Sequence, residues 1–241
     1  MTAIMASPDP INTHCPWSDE PASPDAVAVY RGLPVAFCNP GCRDKFNKAV
    51  TLFDECIDAT GGGSMKISFT KLAEYNCWMN DRLLACIASL PDEALWQDRG
   101  AFFKSILGTL NHLLVWDITW LQRFEKQFGF STLKDVIALP APTAHDQILH
   151  QNRLEFASSR QVMDQTIVRF ITETRERDYA QTLTYTISSG DVFHKNFGGV
   201  LQHLFNHQTH HRGQVTTLLS QAGIDPGPTD LLVLLPEENL V

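Results

Sequence analysis

The chain has 241 residues, of which 44% are hydrophobic and 19% charged. That is a globular mix, long enough for one large domain or a small one beside a medium one. A formal net charge of −8 leaves no basic face for nucleic acid, and apolar runs such as Leu231 to Leu235 are far too short to span a bilayer.

The opening stretch MTAIMASPDP lacks the charged and continuous apolar parts of an export signal. The six cysteines are therefore expected as thiols or metal ligands in a reducing cytoplasm, not as disulfides. Residues 1–60 are rich in proline and hold three of them in one pattern: CPWSDEP at 15–21, then YRGLPVAFCNPGCRDKF at 30–46. Between Cys38 and Cys42 lies Asn-Pro-Gly, a turn that folds two thiolates toward one ion. Without a metal, Cys15, Cys38 and Cys42 would be three small buried residues. A segment this short has little core of its own, which favours a structural metal.

This pattern resembles the YHS or TRASH type of treble-clef module over residues 12–56: a cysteine, a short hairpin, then CxxxC and a helix. The donor set suits zinc or another thiophilic metal. The fourth ligand is open between His14, awkwardly adjacent to Cys15, and Cys56, far down the following helix. Cys56, Cys77 and Cys86 show no ligand spacing, and helix burial is their default.

Gly61-Gly62-Gly63-Ser64 reads as a flexible linker, placed at 61–65, and from residue 66 to 241 the texture is helical. The periodicity predicts four long helices, over about 68–89, 103–127, 144–175 and 198–221. The second is apolar over most of its circumference and belongs at the centre. The third opens at Thr143 or the Asp146 turn, and the fourth stops at Gly223. Between these two, TLTYTISSGDVFHKN reads as a small hairpin. Four such helices suggest a four-helix bundle.

The fourth helix carries HLFNHQTHHRGQ at 203–214. At roughly 100° per residue its apolar arc runs through Leu201, Leu204, Phe205, Val215, Leu218 and Leu219. His211 falls inside that arc and His207 just beyond its edge, whereas His203 and His210 sit toward solvent. His207 and His211 are i and i+4, about 5–6 Å apart at Cβ, a spacing that lets two imidazoles meet on one metal. Buried separately, each would need its own hydrogen-bond partner.

A catalytic metal site usually takes a third protein ligand and keeps one position open. In the second helix, His112 lies off the main apolar arc beside Val115 and Trp116. Asp117 lies inside the arc as a rival ligand or as a partner for a ligand ring's other nitrogen. His145 and His150 at the polar start of the third helix, and His194 near the hairpin, are further candidates, and the pattern alone does not choose among them. Asn76 and Asn80 fall in the apolar stripe of the first helix, where an amide needs a partner: a site contact or an interhelical bond. Asn76, Asp117 and His203 are the candidates for supporting a ligand ring or touching substrate. Arg212, within the arc, suggests a buried ion pair or a dimer contact.

The stretch 65–235 resembles the DinB superfamily of metal-binding four-helix bundles, through LAEYNCWMNDRLL, LGTLNHLLVWDITWLQRF and HLFNHQTHHRGQ in that order. The resemblance implies a mainly α fold with up-down-down-up helix order and a long crossover. It also implies a divalent metal, zinc or nickel, held by His112, His207 and His211. Such proteins are often homodimers. Some are transferases acting through a low-molecular-weight thiol such as bacillithiol or mycothiol. The expectation is a metal-dependent enzyme, thiol-transferring or hydrolytic, acting on a small molecule, with no nucleic-acid or membrane partner. The alternative is a non-catalytic metal-binding or stress-response protein whose cysteine module is a sensor or docking element.

Overall fold

The computed structural model describes residues 9–31, 33–59 and 64–237. The chain divides into two units, Met1–Gly63 and Ser64–Val241, each taken by itself. Glycines 61–63 of the expected linker and most of the opening stretch lie outside the described residues. Ser64 and Met65, assigned to the linker above, form the start of a helix.

In the first unit, strands β1 (Ser23–Tyr30) and β2 (Leu33–Phe37) form an antiparallel hairpin with Ala28 opposite Val35. Ala26, Ala28, Val35 and Phe37 point inward and enclose Cys15. The Asn12 side chain accepts from the Ala36 amide at 2.9 Å and donates to the Ala36 carbonyl at 2.7 Å, fastening the preceding segment to β2. Helix α1 (Pro40–Ala59) follows. Its start is set by Pro40 in the first turn and by the Asn39 side chain, which accepts from the Cys42 amide at 3.0 Å. Phe46 of α1 packs on Phe37, ring centroids 5.1 Å apart.

The second unit is mainly helical. Its long helices are α2 (Ser64–Ala88), α4 (Ile106–Phe128), α6 (Arg153–Glu173) and α7 (Phe197–Gln221). Short α3 (Asp92–Trp96) and α5 (Lys134–Ile137) lie between them. The hairpin of β3 (Thr182–Thr186) and β4 (Val192–Asn196) leads into α7. Helix α2 packs on α6 and α7, and α4 packs on the same two.

Side-chain pairs give the directions. Asn76 and Asn80 both meet Asp164, and Lys66 at the start of α2 donates to the carbonyls of Thr172 and Thr174 at the C-terminal end of α6, so α2 and α6 are antiparallel. His112 meets His211, and Phe124 meets Phe197, so α4 and α7 are antiparallel. Phe69 stacks on Phe205 and Asn76 meets Arg212, making α2 and α7 parallel. The core is the shared interior of these helices, with Leu83, Leu121, Phe124, Phe156, Phe170 and Leu201 fully buried. No helix among the described residues is long and apolar enough to cross a membrane.

Besides α2, which begins at Ser64 and not near residue 68, two helix starts differ from the sequence expectation. Helix α4 begins at Ile106, not near residue 103, because Ser105 is its N-cap and accepts from the Gly108 amide at 3.0 Å. Phe103 and Lys104 belong to a tight turn before it, with Lys104 at a φ of 66°. Helix α6 begins at Arg153, not in the 140s, because Asn152 caps the amides of Leu154 and Glu155. Residues 144–152 instead cross the bundle as irregular chain.

Candidate metal centre

His112 of α4 and His207 and His211 of α7 offer nitrogens that all lie within 4.8 Å of one another. His112 Nε2 stands 3.2 Å from His207 Nε2 and 3.2 Å from His211 Nε2. Antiparallel packing of α4 on α7 brings the rings together, and the i, i+4 spacing puts His207 and His211 on one face. His112 and His211 are 4% and 8% exposed, and His207 is half-buried.

The outer nitrogens fix the inner ones. His112 Nδ1 lies 2.6 Å from the main-chain oxygen of His145. A carbonyl only accepts, so Nδ1 carries the proton and Nε2 is left with a lone pair. His211 Nδ1 lies 2.7 Å from Gln214 Oε1, with the same consequence. Two lone pairs thus face each other across 3.2 Å, an arrangement that asks for a cation. Tetrahedral ligation at about 2.0–2.1 Å sets ligand nitrogens about 3.3 Å apart, so the spacing fits. Burial pushes the His112 ring down to about 4 and His207 down to about 3, with the neighbouring rings adding to both shifts, and burial also lowers His211. All three are therefore neutral near pH 7 and need lose no proton to bind a metal. The group can hold a metal ion.

One side of the triad is covered by Phe103, whose ring stacks on His112 at 3.8 Å and meets His211 edge-on at 5.5 Å. Gly108 makes this possible: a Cβ there would lie 2.4 Å from the Phe103 carbonyl oxygen. Beyond Phe103 opens a cleft of about 430 Å³ lined by Trp96, Phe102, Lys104, His145, Asp146 and Ile148.

A model of the DinB family matches residues 65–239. The chain belongs to the DinB family. A curated relative, Protein DinB of Bacillus subtilis (strain 168), is 29% identical over 162 residues, which is 66% of this chain and 89% of the relative. The DinB match begins past the N-terminal unit. Membership, with the three-histidine group, makes this a DinB-like protein with a site able to hold a metal.

The structure places Asn76 and Asp117 apart from the histidines and His203 beside His207. Asp117 supports no ligand ring. It accepts from Arg160 at 2.5 Å and from Gln208 at 2.5 Å. Arg160 also binds Asp164, which accepts from Asn76 at 3.0 Å and Asn80 at 2.8 Å. Asn76 in turn accepts from Arg212, whose guanidinium lies 5.2 Å over the Tyr75 ring. Asn76, Asn80, Asp117 and Arg212 thus form one buried polar network with balanced charge, reaching into all four long helices. Arg212 is an internal strut within it. His203 is exposed, and its ring lies 5.8 Å from Trp120 and 5.9 Å from His207. Of the partners that do hold the ligand rings, Gln214 belongs to the HLFNHQTHHRGQ motif with no role assigned from sequence, and His145 is a candidate there by its ring and not by its carbonyl. Gln214 has a legible signal, three residues after His211 on the same helix. A backbone carbonyl has none.

In the N-terminal unit, Cys15, Cys38 and Cys42 also form a group able to hold a metal. Cys38 Sγ lies 3.6 Å from Cys42 Sγ, 3.2 Å from Ser18 Oγ and 3.1 Å from Asn39 Nδ2. The Cys15 loop is closed by the Cys15 amide donating to Glu20 at 2.8 Å and the Asp19 amide to Cys15 at 2.9 Å. Burial raises the Cys15 thiol, but hydrogen bonds from Ser18 and neighbouring amides outweigh it and hold the group at about 6. Cys42 is raised, first by its bond with Cys38. Neither suggested fourth ligand joins the group: His14 Nδ1 pairs with Thr13 Oγ1 at 3.1 Å, and Cys56 is exposed on α1.

Proposed function

We propose that the protein is a metal-dependent enzyme acting on a small molecule, with thiol transfer as its reaction and His112, His207 and His211 as ligands of a zinc or nickel ion. The observation that carries this reading is the pair of inward lone pairs on His112 and His211, each fixed by an acceptor on the outer nitrogen. Among the described residues the histidine group has three members, which leaves room for an exogenous ligand. A divalent cation there supplies Lewis acidity, easing proton loss from a thiol or water that reaches it. The chain's own part is to orient the rings through His145 and Gln214 and to shut water from one side with Phe103. The pairwise helix contacts support the up-down-down-up order of the family.

Further parts of the reading are a zinc ion on Cys15, Cys38 and Cys42 in a YHS-like treble clef, a homodimer, and a cytoplasmic setting that suits six free cysteines. Neither nucleic acid nor membrane is a partner.

The test is metal analysis of the purified protein together with thiol-dependent conjugation of a small electrophile. Conjugation that falls at least about 100-fold in a folded His211→Ala variant, with loss of the bundle metal, is expected from losing one of three ligands. Unchanged turnover in that variant removes the metal from the mechanism. The second group, that of Cys15, Cys38 and Cys42, favours one rival, metal handling without catalysis, and stoichiometric binding with no turnover across thiols and electrophiles would establish it instead.

A further inference from the structure

Beside His112 on α4 sits Asn111, fully buried and making four hydrogen bonds. Its Oδ1 accepts from the Leu149 and His150 amides, both at 2.9 Å. Its Nδ2 donates to the His150 carbonyl at 3.0 Å and to the Leu107 carbonyl at 2.8 Å. One carboxamide has two donors and an oxygen with two lone pairs, so every valence is used. Three of the four bonds go to a single irregular segment.

That segment needs an anchor. His145, Asp146 and Ile148 are exposed, and only Leu149 among these residues packs on the core. The segment's turn is closed internally: the Thr143 amide donates to Gln147 Oε1 at 2.8 Å and the Gln147 amide to the Ala144 carbonyl at 3.3 Å. The Asn111 side chain therefore holds a small folded unit by one end, and the other end presents the His145 carbonyl to His112 Nδ1 at 2.6 Å. The unit also walls the cleft beyond Phe103.

We propose that Asn111 is a positioning residue of the metal centre: by pinning residues 149–150 it holds the His145 carbonyl against His112, locking that ring with its proton on Nδ1 and Nε2 turned inward. The functional meaning rests on the metal reading above, but the link from Asn111 to the ring does not. Partners of a ligand's outer nitrogen commonly change metal affinity about 10- to 100-fold when lost.

The experiment is nitrogen-resolved NMR of the histidine rings in the full chain, metal-free and during titration with zinc. The His112 signals report on that site without interference from the cysteine group. In the native protein the metal-free His112 ring is expected in the Nδ1–H form, with slowly exchanging Leu149 and His150 amides. In Asn111→Ala the Nδ1–H signature is lost and zinc affinity read at His112 falls about 10- to 100-fold. Leu121→Ala, a cavity variant elsewhere on α4, should lower stability and leave both readouts unchanged. A folded Asn111→Ala that keeps the Nδ1–H form and the native zinc affinity overturns the proposal. If that variant does not fold, the native protein decides: fast exchange of those two amides, or an Nε2–H ring, overturns it as well. A native protein that binds neither zinc nor nickel at His112 defeats the metal reading, and the ring signature in Asn111→Ala still tests the positioning.

Discussion

A neutral imidazole has one proton and one lone pair, and what sits at its outer nitrogen decides which faces inward. At His112 and His211 the outer partners are acceptors, so the inner nitrogens are left basic, close together and largely dry. That has a measurable consequence in the metal-free protein. The folded His112 takes its proton near pH 4 and His207 near pH 3, whereas the unfolded chain protonates from its ordinary value of 6.5. Below 6.5 the unfolded state binds protons that the folded state does not, so stability is complete above that pH and falls on acidification until the folded values are reached. Denaturant titrations of metal-free protein from about pH 7 to about pH 4 should show the midpoint falling, with a shallower fall in His207→Leu. Asp164, raised to about 6 by burial, works in the opposite sense over part of this range, so the comparison of the two proteins carries the test: equal falls in the native protein and in His207→Leu would mean that the rings are solvated and not drawn together.

At the scale of the element, much was legible from residue types and some was not. The fourth helix and the hairpin before it follow their periodicity, and the i, i+4 histidines fall where a helical wheel puts them. The starts of α4 and α6 were missed although Ser105 and Asn152 are ordinary N-cap residues, Asn152 with Glu155 three positions on. Residues 144–152 contain nothing that forbids a helix. They are irregular because Asn111, far away in sequence, takes their backbone groups, and a long-range bond to the main chain leaves no mark in a local pattern. The choice between His112 and Asp117 was likewise closed to the wheel. Both are buried, and Arg160 and Gln208 on other helices, reaching Asp117, separate their roles. The turn before α4 carries its own prediction. Gly108 lets the Phe103 carbonyl approach the helix, and an alanine Cβ would meet that oxygen at 2.4 Å and Ser105 Oγ at 3.0 Å. Backbone must move, so Gly108→Ala should cost about 1–3 kcal/mol in thermal or denaturant unfolding. It should also lift the Phe103 ring from His112, read as loss of their mutual proton contacts in NMR. A variant of native stability that retains those contacts would show that the close approach is not needed.

For the bundle as a whole, the apolar interior supplies most of the burial, yet it is crossed by Arg160, Arg212, Asp117 and Asp164, two charges of each sign. Arg160 is 1% exposed and joins Asp117 of α4 to Asp164 of its own helix, and Asn76, Asn80, Gln208 and Arg212 extend the chain of bonds to α2 and α7. Removing desolvated charges from water is costly, so such a network adds little net stability over a well-packed apolar one, but breaking it from one side strands what remains. Arg160→Met leaves two carboxylates buried, with Arg212 as the remaining cation of the network. The expected cost is about 3–5 kcal/mol, seen as a lower denaturation midpoint with an unchanged slope because the same surface is exposed on unfolding. Restoring balance by Arg160→Met with Asp117→Asn, which leaves Asp164 to balance Arg212, should cost less than the two single losses add up to, since the groups share one network. The histidine triad makes none of these bonds, so zinc binding followed at His112 should persist in the folded fraction of each variant. Loss of metal in parallel with stability would instead tie the centre to the charges behind it, and strict additivity of the two substitutions would mean that the charges stand alone.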